Sequence, residues 1–432
     1  MISYLLRVIS VAIPSKKRFE LDIKQINYIK KKLGITKIED VDKAVMKLLK
    51  ERLKKLSDVR MKHKTKFKMW DIIVCTILAV LFGANSWDDV HDFVENHYEW
   101  LREFLLMTGG IPCVKTYERV FEIINSKELE NILVEFFKLF NLKSEMEQDL
   151  INIDGRVTKG SSRKETSYSE TIKPLNVLNA YSNKYGICLA SEAIEDKSNE
   201  IPTIPNILKR FKVKGNIITW DALNTQTKNI EAVVDLKGDY VVPIKGNQGN
   251  FYNDLIDYFD EKKLESIKAG NTKSDYKEYF EQRGSTIIHY EYYQTSDVKW
   301  YFDRNKWKKL NTIGVVKKTI NDGKNKEPKV EMRYYISSLN IDIELFSKAI
   351  RNHWSVENKL HWHLDFTFKQ DKNTTVNKNA LLNFEIINKF CLGLLNKVKP
   401  FYKNISLRRI RKIISYNFEK SLVHLICYLS FN

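Results

Sequence analysis

The stretch DLINIDGRVTKG, residues 149–160, alternates apolar positions up to Asp154 and then breaks at Gly155. That is the pattern of a half-buried strand with an acidic residue at its tip. Leu175–Tyr181 and Ile187–Ala193 are two further short, turn-bounded apolar runs, so three consecutive strands are predicted. Helix Ile204–Phe211, strand Ile217–Asp221, helix Thr227–Leu236 and strand Tyr240–Ile244 follow. Three antiparallel strands and then alternating helix and strand describe a mixed α/β sheet.

Upstream of this sheet the period changes to helical. Phe19–Lys32 and Val41–Leu56 read as amphipathic, surface-basic helices, and Lys62–Lys68 reads as a linker. Met69–Phe82, Trp87–Asn96, Glu99–Met107, Thr116–Ile124 and Glu128–Phe140, separated by glycine, asparagine and proline, make an all-helical module. Downstream of Asn250 a β-rich insertion is predicted, with strands around Tyr290–Gln294, Thr312–Lys318 and Val330–Ser337 and a turn at Asn321–Gly323. Helix Ile341–Leu364 then returns to the core, and Ala380–Leu395 and Leu407–Phe418 form a helical, basic tail. The element order is that of a ribonuclease-H-like core with an insertion before its last helix.

The chain has 432 residues, enough for two or three domains of roughly 150 residues each. Hydrophobic residues make up 43%, which excludes global disorder. The net charge of +18 points to a polyanionic partner, and its distribution is uneven. Residues 1–70 carry 20 Lys/Arg against 7 Asp/Glu, residues 397–432 carry 8 against 1, and the remainder is near neutral. Basic arms therefore flank a neutral centre, an arrangement suited to holding a phosphate backbone or to a solvated lysine-rich surface. The five cysteines, Cys75, Cys113, Cys188, Cys391 and Cys427, contain no CxxC pair and read as reduced core residues of a cytoplasmic protein. Met1–Pro14 is interrupted by Arg7 and lacks a small-x-small cleavage site, so secretion is not expected. Ile72–Ala84, the strongest apolar run, is too short to span a bilayer.

The chemistry falls at strand ends. Asp154 closes one strand and Asp221 closes another in IITWDALNTQ, residues 217–226, and neighbouring strand tips bring carboxylates together. Taken singly, each aspartate is also a good turn cap. On the predicted helix Ile341–Leu364, His353, Glu357, His361 and the following Asp365 recur every four residues and fall along one face. A His–Glu–His face suits zinc, but the HExxH spacing is missing and no cysteine is near. The alternative is an all-oxygen site of Asp154, Asp221 and Glu357 for Mg²⁺ or Mn²⁺, and a solvated charged face is the simplest alternative of all.

Five blocks carry a family resemblance: INIDGRVTKGS at 151–161, KSNEIPTIPNIL at 197–208, IITWDALNTQ, GDYVVPIKGNQ at 238–248 and RNHWSVENKLHWHLDFTFKQD at 351–371. Together with the helical stretch at 58–90 they resemble the ISAs1-family transposases, DDE enzymes of the IS4-like group, over roughly residues 57–395. The resemblance implies Asp154, Asp221 and Glu357 as catalytic, metal-holding triad, with two Mg²⁺ or Mn²⁺ ions. It implies a transposase-associated helical domain over 61–145 and a ribonuclease-H-like DDE domain over 146–395 with its insertion at about 250–340, whereas the basic helical arm over 1–60 and the basic tail over 396–432 are read from charge and periodicity alone. Relatives usually place the cations of the first block as DGK then R, and here Arg156 and Lys159 exchange them.

Candidates for contact with DNA phosphates or nearby groups are Arg156, Lys159, Lys245, Asn247, Gln248, Arg351 and His353. Trp300 and Trp307 are candidates for stacking on an unpaired base, with core packing as the alternative. The implied function is metal-dependent cleavage of double-stranded DNA at insertion-sequence ends and strand transfer into target DNA. It would be carried out by a homodimer or larger assembly on the nucleoid, without a membrane. The alternatives are a decayed DNA-binding relic and a metal nuclease without strand transfer.

Overall fold

The computed structural model describes residues 41–416, apart from 62, 64, 140–147, 164–170, 195–199, 271–272, 323–326 and 403, together with residues 30, 31, 34 and 36. Most of the expected helix Phe19–Lys32, Gly323 of the expected turn, Cys427 and the end of the basic tail lie outside the described residues.

Among the described residues from 41 onward, six helices precede the sheet: α1 Val41–Leu53, α2 Met69–Leu81, α3 Trp87–Asn96, α4 Tyr98–Arg102, α5 Val114–Ile123 and α6 Ser126–Lys138. Local chemistry sets their starts. Ser86 and Asp89 form a reciprocal capping box on α3, and Asn125 accepts the backbone N–H groups of Lys127 and Glu128 at the head of α6. Nearly every residue of α2 is buried, which is why its sequence is apolar all round.

A nine-stranded sheet follows, built from β1 Leu150–Thr158, β2 Leu175–Ser182, β3 Ile187–Ile194, β4 Ile217–Thr219, β5 Asp239–Ile244, β6 Ser274–Arg283, β7 Thr286–Thr295, β8 Thr312–Asn321 and β9 Lys329–Ser337. The spatial order is β3-β2-β1-β4-β5-β9-β8-β7-β6. β1, β4 and β5 are parallel, and every other neighbouring pair is antiparallel. The insertion is therefore continuous with the core sheet, because β9 pairs with β5. β6 escaped the sequence reading: it is an edge strand, charged on both faces, and so lacks the period-2 signal.

Alternation along the strands feeds two cores. Ile151, Ile153, Ile218 and Val242 face one side, which also holds the helical module, α7 Glu200–Leu208 and α8 Thr227–Asp235. Leu150, Ile217, Val241 and Tyr335 face the other, where a later helix carrying Ile343, Phe346 and Ile350 covers them. α9 Asn250–Tyr258 and α10 Glu261–Lys268 lead into the insertion strands.

The expected single helix Ile341–Leu364 is corrected to three pieces: α11 Ile343–His353, a π-helical segment Val356–His361, and α12 Trp362–Phe366. The expected basic tail is corrected as well. α13 Lys378–Val398 is a central helix, buried along almost its whole length and packed against α2, α5, α6 and β3. It lies between the helical module and the sheet, and the hydrophobic core runs continuously from Val45 to Ile414. In α14 Leu407–Tyr416, Arg411 is buried rather than surface-basic. Its guanidinium donates to the Val80, Ala84 and Thr367 carbonyls and to Asn85, closing the carboxyl end of α2. Of the described cysteines, Cys75, Cys188 and Cys391 are buried, while Cys113 is exposed, contrary to the core reading.

Candidate active site

β1 and β4 run parallel with Asn152 opposite Thr219, and one aspartate follows two residues further along each chain path. Asp154 and Asp221 therefore arrive side by side at the middle of the sheet. Asp154 Oδ1 accepts the Gly155 N–H at 2.9 Å. Asp221 opens a 3-10 turn, Ala222–Asn224, and its Oδ1 accepts from the Asn224 backbone at 3.4 Å and the Asn224 amide at 3.2 Å. Fully buried Trp220 anchors that turn by donating to Thr225 Oγ1 at 3.2 Å.

Glu357 comes from the π-helical segment and is exposed. Such segments widen the turn and recur at functional positions in helices. Asp154, Asp221 and Glu357 line one solvent-open cleft of about 520 Å³ with Lys245, Arg333, His353 and Trp354. Despite the break in the helix, the four-residue stripe still faces the sheet. His353 Nδ1 is 3.1 Å from Thr219 Oγ1, His361 Nδ1 is 3.5 Å from Asp154 Oδ2, and Asp365 pairs with Arg156. His363 turns away to Thr367 Oγ1 at 3.0 Å, so the histidines do not gather as zinc ligands would.

A fourth carboxylate belongs to the site and was missed from the sequence. Glu200 begins α7, is 6% exposed, and its Oε2 accepts from Asn224 Nδ2 at 3.1 Å, the same amide that serves Asp221. A Cβ at position 155 would collide with its carboxylate, so glycine there is what lets Glu200 sit against β1. The only sequence signal was its place in the block KSNEIPTIPNIL, which carried no role of its own.

Crowded acids set the electrostatics. Burial, then Asp221, Glu200 and Glu357, push the Asp154 carboxyl up to about 7 against the opposing Gly155 N–H. Among the described residues no lysine or arginine forms an ion pair with Asp154, Asp221 or Glu357, and the nearest basic side chain to Asp154 is His361. Burial, reinforced by Arg156 and Lys389, pushes the His361 imidazole down to about 3. Burial also pushes His353 down to about 4, with Lys245 adding to the effect and Asp221 opposing it. Both rings are neutral near pH 7. A set of hard oxygen donors lacking an internal cation fits Mg²⁺ or Mn²⁺.

Another group lies on the outer strands, where Glu278, His289 and Glu291 have ligand atoms within 4.8 Å of one another. The three cleft carboxylates do not gather that tightly, and a pair of ions ~4 Å apart asks for a wider spread than one ion does. The outer group already holds a cation, since Lys268 Nζ lies 3.5 Å from Glu278 and 3.6 Å from Glu291.

The remaining candidates divide. Lys245 is exposed at the cleft. Asn247 donates to the Ala222 carbonyl at 2.8 Å and Gln248 to the Thr225 carbonyl, so both brace the Asp221 turn. Arg156 is corrected from a phosphate contact to an internal brace. It is 6% exposed, pairs with Asp365, and lies 3.5 Å from both Asp371 and Glu385. Lys159 is exposed, and its backbone N–H donates to Asp371 at 3.2 Å. Arg351 stacks over the Tyr279 ring at 4.2 Å and does not line the cleft.

Trp307 is buried against Phe251 and Tyr301, the arrangement of the packing alternative. Trp300 stacks on Tyr258 at 4.7 Å, with its N–H on the Asp297 carbonyl. Of the aromatic residues that line the cleft, which include Tyr252, Tyr334 and Tyr335, Trp354 is the most exposed, at 48%, with the Arg333 guanidinium 5.5 Å from its ring.

A mixed sheet bearing an open, carboxylate-lined cleft at the ends of its parallel strands defines an α/β protein with an acidic site suited to divalent ions. The chain belongs to the transposase DDE domain family, whose profile matches residues 147–393; the profile of the DDE_Tnp_1-associated region matches residues 50–137. Among curated relatives, "Putative protein YbfL" and "H repeat-associated putative transposase YhhI" of Escherichia coli (strain K12) are each 31% identical over 368 residues, covering 85% of this chain and 95% of theirs. A cryo-EM structure of the piggyBac transposase synaptic complex with hairpin DNA aligns over 94% of this chain and 82% of its own, at a TM-score of 0.33 and 12% identity. Among the described residues no helix is long and apolar enough to cross a membrane.

Proposed function

We propose that the chain is a DDE transposase of the ISAs1 kind, which cuts DNA at insertion-sequence ends and transfers the freed 3′ ends into target DNA. The convergence of Asp154, Asp221 and Glu357 on one open cleft is the observation that carries this reading. The strand order β3-β2-β1-β4-β5, with β1, β4 and β5 parallel, supports a ribonuclease-H-like core beneath it. The three carboxylates would hold Mg²⁺ or Mn²⁺, which when bound activates the attacking hydroxyl and neutralises the leaving oxygen.

The chain's own residues position the DNA. Lys245, exposed beside Asp221, is placed to meet a phosphate next to the scissile bond. Neutral His353 offers that backbone a hydrogen bond rather than a charge. Trp354, backed by Arg333, presents an open ring to a sugar or base at the cut end. Two element ends must be held together, so the working assembly contains at least two copies.

The test is a cleavage assay on DNA bearing the element terminus. Purified protein with Mg²⁺ or Mn²⁺ should nick at the terminus and join the end to a target, and Asp154→Asn should abolish both while binding survives. Equal cleavage by that variant would refute the site.

A further inference from the structure

We propose that His361 is a positioning residue for Asp154, fixed as the Nδ1-protonated tautomer by a hydrogen-bond chain that starts at Lys389 and passes through Asn179. Its bearing on metal binding rests on the function proposed above, but the tautomer does not.

The chain can be read donor by donor. Lys389 Nζ has only protons to give, and it lies 2.6 Å from Asn179 Oδ1, 2.9 Å from Ser191 Oγ and 2.8 Å from Glu385 Oε1. The buried Asn179 amide therefore directs its oxygen at the ammonium, which leaves its NH₂ facing His361 Nε2 at 3.3 Å. An NH₂ can only donate, so Nε2 must accept, and in a neutral imidazole the proton then resides on Nδ1. Nδ1 is the atom 3.5 Å from Asp154 Oδ2.

The backbone locks the same geometry, because Asp154 and Asn179 are directly opposed in the β1–β2 ladder. His361 is 7% exposed and Lys389 4%, so water does not offer the ring an alternative partner. With His361 Nδ1 3.5 Å from Oδ2 and the Gly155 N–H on Oδ1, each carboxylate oxygen of Asp154 has a protein neighbour at the edge of the cleft that Asp154 lines. A partner of this kind, behind a ligating carboxylate, typically changes metal affinity by ~10–100-fold when removed.

The experiment is a long-range proton–nitrogen correlation spectrum of the full chain labelled with ¹⁵N-histidine, near pH 7.5, with His361 assigned from the signals missing in His361→Asn. Expected are a pyrrole-type Nδ1 and a pyridine-type Nε2 for His361. A protonated Nε2 would overturn the proposal. Asn179→Asp removes the NH₂ that faces the ring and should abolish this pattern, and an unchanged pattern would overturn the proposal.

Mn²⁺ titration supplies the second readout. His361→Asn places an amide N–H near the Nδ1 position and should bind Mn²⁺ within ~3-fold of wild type, whereas His361→Leu should bind ~10-fold or more weakly. Unchanged binding by His361→Leu, or equal loss in both variants, also overturns the proposal. If wild type itself binds no Mn²⁺ in the cleft, the proposed function fails while the tautomer result stands on its own.

Discussion

Gly155 and Glu200 are packed so closely that a methyl group on residue 155 would overlap the Glu200 carboxylate. Glu200 is buried and held by Asn224, so it has little room to retreat. Gly155→Ala should therefore destabilise the protein by ~1–3 kcal/mol, the usual range for overpacking. Chemical denaturation measures it; a change below ~0.5 kcal/mol would mean that the contact yields freely.

Asp154 gives a pH signature without any metal present. Its carboxyl is raised from 3.8 to about 7, so between those values the folded protein holds a proton that the unfolded chain has lost. This group's contribution to stability is complete below pH 4 and disappears as pH rises through 7. Asp154→Asn should accordingly be more stable than wild type at pH 8, by on the order of 2–4 kcal/mol, and should converge with it near pH 4. The neutral histidines His353 and His361 act in the opposite sense, losing stability as pH falls below 6.5, but they are common to both proteins. Parallel melting curves at pH 5 and pH 8 decide the matter, and a constant difference would remove the account of Asp154.

Arg156 separates structure from DNA contact. Replacing it with Met leaves Asp365 and Asp371 without their shared cation and Glu385 with Lys389 alone, so stability should fall by ~3–5 kcal/mol. A variant that melts like wild type but binds DNA with a shallower salt dependence would restore Arg156 as a phosphate ligand.

The two tryptophans make a paired comparison. Trp307→Ala empties a packed site beside Phe251 and should cost ~3–5 kcal/mol. Trp354→Ala removes a ring that is half exposed at the cleft and should leave stability within ~0.5 kcal/mol while weakening binding of cleaved-end DNA. Unfolding and DNA-binding titrations on both variants test the assignment, and unaltered DNA binding by Trp354→Ala would count against it.

What the sequence made legible was periodic. β1 to β5 and most of the upstream helices follow from apolar spacing and turn residues, because one face of each is buried and the other is not. α13 was misread as a tail, since a helix buried all round shows lysines and asparagines whose partners are distant in the chain: Lys389 meets Asn179, and Asn383 meets Phe121. α7 was expected to begin only at Ile204, yet it starts at Glu200 and contains Pro205. That offset hid Glu200 from the site. Asp154, Asp221 and Glu357 could be picked out by motif order, but the partners that set their chemistry could not. Asn224, His361 and Asn179 act through contacts that only the folded sheet creates.

The central claim is that Asp154, Asp221 and Glu357 share divalent ions in the cleft they line. Crystals soaked in Mn²⁺ and measured at a wavelength where manganese scatters anomalously test it most directly. Peaks among those three carboxylates are the expected result. Their absence, with manganese only at Glu278, His289 and Glu291 or nowhere on the protein, would contradict it.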